Sequence, residues 1–239
     1  MYFVRKRSKH LRSREAPKVF YNEQVASFCT LINLHHCWND RPMTQTVPIR
    51  FHQIIFTVAI LGLCWQGMMA VHELGHVIGA FATGGRVNRV VLHPAAISRT
   101  DVSPNPSPTI VVWAGPVAGS LLPLVMLAAF HVAKLSGQGR GLLQFFVGFC
   151  LLANGAYIGV GGFDGVGDAG EMLRHGTPMW AMLVFGISAC GLGLWLWHQL
   201  GSLKHFLTYP ETVRRPHAFF TAAALAAVIA AELLLSARS

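Results

Sequence analysis

The chain has 239 residues, of which 53% are hydrophobic and only 12% charged, and its formal net charge is +9. An average soluble domain carries about 25% charged residues, so the composition excludes an ordinary soluble globule and points to an integral, multi-pass membrane protein. The positive excess does not point to nucleic acid, because Arg5, Lys6, Arg7, Lys9, Arg12 and Arg14 form one block near the N-terminus, and such blocks are ordinarily solvated tails.

Residues 1–50 read as a basic, poorly structured tail. No apolar core follows the basic run closely enough for a signal peptide. Met43, just ahead of the first apolar span, is an alternative start that would make residues 1–42 non-native. His35-His36-Cys37 has the composition of a metal tract, but short tracts of this kind match by chance. The cysteines at 29, 37, 64, 150 and 190 show no paired spacing, so no disulfide framework is expected.

Charged residues are absent from 51–71, 102–133, 141–163, 175–203 and 216–231. A helix needs about 20 mainly apolar residues to cross the hydrocarbon core. These windows predict spans near 52–83, 110–133, 142–162 and 179–200, with a fifth near 217–235. The expected fold is all-α and polytopic, with a membrane core over 51–176 and C-terminal transmembrane helices over 177–239. The positive-inside rule favours a cytoplasmic N-terminus, an inference that rests mostly on the basic tail.

The first span contains HELGH, residues 72–76. Residues four apart share a helix face, so His72 and His76 can present two imidazoles to one zinc ion. Glu73 beside them can act as general base on a zinc-bound water, the HExxH arrangement of zinc proteases. A lone HExxH does arise by accident. Here it lies in an apolar helix, where an idle Glu73 would be costly.

Catalytic zinc takes three protein ligands and keeps one position open. The only carboxylates in or beside the later spans are Asp164, Asp168, Glu171 and Glu232. Helix parity brings the end of the third span to the side of the membrane that holds HELGH. Asp164 and Asp168 are therefore both candidates for the third ligand. Five glycines between 159 and 167 are expected to unwind the helix there and line a watery cavity, and Asp168 is expected at a helix N-cap. Asn154, inside the third span, could hydrogen-bond a substrate backbone or orient a ligand. The tryptophans at 113, 180, 195 and 197 read as packing or interfacial anchors.

HELGH in the first span, WAGPVAGS at 113–120, and an Asn followed by an Asp-Gly motif near the third span resemble the site-2-protease-type intramembrane zinc metalloproteases. The resemblance covers roughly residues 52–176. It implies zinc ligation by His72, His76 and an aspartate, with Glu73 catalytic, and three core helices around the metal. It also implies an irregular or β-like segment between the first two core spans, a place that residues 86–109 fit. Its edge strands could add a substrate strand, a general mode of peptide recognition. Asp168 matches the family's helix start better, and Asp164-Gly165 matches its bare Asp-Gly. Asp168 is preferred because a ligand at a helix start is better held, and Asp164 is the alternative.

The departures are Gly119 and Ser120 where the family often has Asn, and the missing proline after Asn154. The expected function is intramembrane proteolysis of a membrane protein or peptide substrate, with one zinc ion, in the cell membrane. A catalytically silent scaffold of the same fold, and a metal or solute transporter, are the competing readings. No oligomeric state is predicted.

Overall fold

The structure, a computed structural model, describes residues 51–94, 97–134, 138–201 and 215–236. The basic tail, Met43, the His35-His36-Cys37 tract, Cys29 and Cys37 lie outside them. Helix α1 runs Phe51–Ala82, α2 Pro108–Val132, α3 Gln138–Asp164, α4 Gly167–Arg174, α5 Met179–Gln199 and α6 Arg215–Ser236, and strands β1 (Val87–Val91) and β2 (Arg99–Val102) sit between α1 and α2. All but α4 are long and apolar enough to span a bilayer, and they coincide with the five predicted spans within a few residues. Exposed Ile54, Val58, Leu74, Val125, Ile187 and Phe220 are the outward faces expected of such helices. Cys64, Cys150 and Cys190 are free.

Neighbouring helices pack in the order α6, α1, α2, α3, α5, with α4 against α3 and α2. Small residues set the α1–α2 crossing. A Cβ on Gly75 would lie 2.3 Å from the Ala114 carbonyl oxygen, and one on Gly79 would lie 2.6 Å from the Ala114 Cβ. Gly75 and Gly79 therefore oppose Ala114, Gly115 and Ala118, the small-xxx-small pattern that lets membrane helices approach closely. The glycine of HELGH is thus a packing residue, and it draws α2 against the two histidines.

The helix does not unwind over residues 159–167 as the glycine count suggested. Helix α3 continues through Gly159, Gly161 and Gly162 to Asp164. A Cβ on Gly159 would meet the Gly186 Cα at 3.2 Å, so this glycine serves close packing on α5. Only Gly165 and Gly167, at φ +62° and +60°, make the break that starts α4.

Strands β1 and β2 pair antiparallel, with Val90 opposite Thr100 and Val91 opposite Arg99, and an irregularity between Val87 and Arg89. Both strands contact α1. The β-like segment expected between the first two core helices is therefore a two-stranded hairpin seated on the helix that carries HELGH.

Candidate metal centre

His72, Glu73 and His76 are all buried, at 6%, 3% and 6% exposure. The ligand atoms of His72, His76 and Asp168 lie within 4.8 Å of one another. Individually, His72 Nε2 is 2.8 Å from Asp168 Oδ2, His76 Nε2 is 3.3 Å from the same oxygen, and the two Nε2 atoms are 3.1 Å apart. Four ligands at 2.0–2.2 Å around a tetrahedral zinc stand about 3.3–3.5 Å apart. The triangle has nearly that size.

The outer partners of the histidines decide what the triangle can hold. His76 Nδ1 donates to the Val111 carbonyl at 2.8 Å. His72 Nδ1 donates to Asn154 Oδ1 at 2.7 Å. The Asn154 amide is itself oriented, because its Nδ2 donates to the Cys150 carbonyl at 2.9 Å. With the ring proton on Nδ1 in both cases, both Nε2 lone pairs point at the Asp168 oxygen. Three acceptor atoms converging in this way suit a cation, and a ring N–H on a carbonyl is the usual support of a ligating histidine.

Asp168 supplies the one carboxylate oxygen among the three converging atoms. Asp168 lies in the first turn of α4, and the N-cap is Val166 rather than Asp168. A carboxylate there still gains from the helix N-terminus. Its backbone N–H donates to the Tyr157 hydroxyl at 3.1 Å, which ties α4 to α3.

The other candidates stand elsewhere. Asp164 is exposed at the end of α3. Glu171 pairs with Arg174 and His175 and lies outside the His72–His76–Asp168 group. Glu232 is buried and accepts a hydrogen bond from Gln66 Nε2, which ties α6 to α1. His131 accepts from Arg140 at 3.0 Å. Trp113 donates to Thr177 and Trp197 to the Phe145 carbonyl, whereas Trp180 and Trp195 face outward.

Glycines of α2 make room for the centre. A Cβ on Gly115 would sit 2.3 Å from His76 Nε2 and 2.8 Å from His72 Nε2, and one on Gly119 would sit 2.8 Å from Asn154 Nδ2. Gly119, one of the departures noted above, is what leaves space for Asn154 to reach His72. Asn154→Ala is expected to weaken metal binding about 10- to 100-fold, as loss of an outer ligand partner does. Competition with a metal-indicator dye measures this. An affinity equal to wild type would mean that packing alone holds His72.

Two cavities meet at the centre. One, of about 690 Å³, is lined by Glu73, His76, Arg99, Asp101, Asp168 and Arg174, and the glycine break at 165–167 forms part of its wall. The other, of about 200 Å³, is lined mostly by apolar groups, among them Trp65, Met68, Met69 and Ala153. Glu73, Tyr157 and Asp168 border both. A polar approach for water and an apolar recess thus open on the same few residues.

Ser98 and Thr100 also belong to the centre, and sequence reasoning missed them. Ser98 Oγ donates to Glu73 Oε1 and Thr100 Oγ1 donates to Glu73 Oε2, both at 2.6 Å. Tyr157 was missed too. The available signal was weak: two hydroxyl residues two apart in the segment between the first two core helices.

Residues 51–157 match the family model described as Peptidase M50B-like. The matched stretch holds HELGH, Ala114-Gly115-Pro116 and Asn154, and ends before Asp168. No curated protein and no solved structure matched the chain.

Proposed function

We propose that this chain, whose residues 51–157 match the Peptidase M50B-like family model, is a zinc endopeptidase of the site-2-protease type that cuts a membrane protein or membrane-anchored peptide. The observation that carries the reading is the convergence of two imidazole lone pairs and one carboxylate oxygen, next to a buried glutamate, in an apolar helix bundle. His72, His76 and Asp168 would hold the ion. Zinc bound there supplies Lewis acidity, polarising a peptide carbonyl and making water acidic near neutral pH.

The residues of the chain do the rest. Water enters by the larger cavity, past the polar side chains of α4 and β2. Glu73 takes a proton from the attacking water and delivers it to the leaving amine nitrogen, the general acid–base role of a carboxylate. Asn154 and the Val111 carbonyl keep the two imidazoles turned toward the ion. The β1–β2 hairpin lies beside the centre, where a substrate strand could add to an edge.

The test uses full-length protein in detergent. Purified wild type is expected to carry one zinc per chain and to cleave a quenched-fluorescent peptide built on an apolar segment of about 20 residues. A chelator should abolish cleavage, and added zinc should restore it. Zinc-loaded protein that leaves such peptides intact would favour a silent binding protein of the same fold.

A further inference from the structure

We propose that Ser98 and Thr100 are positioning residues for Glu73, so that the seat of the β1–β2 hairpin is part of the catalytic machinery. The inference rests on the endopeptidase reading above. A hydroxyl on each carboxylate oxygen, both at 2.6 Å, has the length of a charge-assisted O–H···O⁻ bond. Ser98 is 6% exposed and Glu73 3% exposed, so both members of the Ser98–Glu73 bond are buried.

One short segment at the start of β2 supplies both donors. Ser98 immediately precedes β2 and Thr100 lies within it, and both hydroxyls reach Glu73 on α1. Between and beyond them, Arg99 and Asp101 form an exposed ion pair at 3.4 Å. Gripping a carboxylate by both oxygens fixes the plane and rotation of the group. A carboxylate offers about four lone-pair sites, so two are left for water. Because the donors are neutral hydroxyls, the clamp orients the base without placing a cation on it.

The position of the clamp gives it a consequence for substrate. Ile97 and Ser98 border both the polar and the apolar cavity. A polypeptide reaching the centre must therefore pass the segment that holds the base. Lifting the hairpin would release Glu73, and seating it would align Glu73.

Ser98→Ala and Thr100→Val, singly and together, are compared in full-length zinc-loaded protein on the apolar-segment peptide. The double variant is expected to keep its zinc and its KM and to lose about 10- to 100-fold in kcat, the range typical of lost outer-sphere orientation. Ser98→Thr and Thr100→Ser keep a hydroxyl and should recover most of that loss. Amide hydrogen exchange over residues 97–102, measured without metal, should rise in the double variant. Exchange and kcat that both stay at wild-type values would overturn the clamp, as would a change confined to KM. Wild type that binds zinc yet cleaves nothing would overturn the endopeptidase reading and the catalytic part of this one. Faster exchange in the double variant would then still show that the hydroxyls seat the hairpin.

Discussion

Glu73→Gln is expected to retain its zinc and to cleave about 10²- to 10⁴-fold more slowly than wild type, the usual contribution of a positioned general base. The substitution preserves shape and removes the ability to accept a proton. It should also preserve the local structure. The amide keeps one acceptor oxygen for a hydroxyl of the hairpin, and the second hydroxyl can turn to accept from the new NH₂ group. Glu73 donates no ligand atom to the triangle of His72, His76 and Asp168, so metal content is not expected to change. Zinc analysis and peptide cleavage on the same preparation separate the two effects. A Glu73→Gln protein as active as wild type would remove Glu73 from the chemistry and with it the protease mechanism.

Asp168→Ala and His72→Ala are each expected to purify without bound zinc, while Asp164→Ala keeps one ion per chain. Catalytic zinc sites use three protein ligands, and removing either residue leaves two. The Asp168 oxygen lies 2.8 Å from one imidazole nitrogen and 3.3 Å from the other, whereas Asp164 is exposed at the end of α3. Asp168→Ala keeps the α4 backbone bond to the Tyr157 hydroxyl, because that bond uses the amide of residue 168. Loss of metal therefore need not mean loss of α4. Metal content after dialysis against a weak chelator decides the matter. Loss in Asp164→Ala with retention in Asp168→Ala would reverse the assignment.

Where sequence reading fell short, the reasons lie in particular residues. The glycines at 159, 161 and 162 look like helix breakers from composition, yet an apolar helix in a bundle tolerates glycine when a neighbour needs the space. The surface of α5 at Gly186 supplies that need, and it is not visible from the local sequence. Asp168 looked like an N-cap because aspartate favours that place. The two positive-φ glycines instead set the start of α4 at Gly167, with Val166 as its cap.

The sequence by itself determined the five spans, the placing of His72 and His76 on one helix face, and the carboxylate beside them. Those features rest on apolar length and on the 3.6-residue period, both local properties of the chain. Tertiary structure decided the rest. It brought Asp168 rather than Asp164 to the histidines and gave Asn154 to His72. It also aimed two hydroxyls of the hairpin segment at Glu73 and made Gly115 and Gly119 the space in which the two histidines and Asn154 meet. The sequence separations are 82 for Asn154 and 96 for Asp168. Contacts of that range depend on how helices cross, and the crossing depends on small residues opposing one another on different helices. No single stretch of sequence states that opposition.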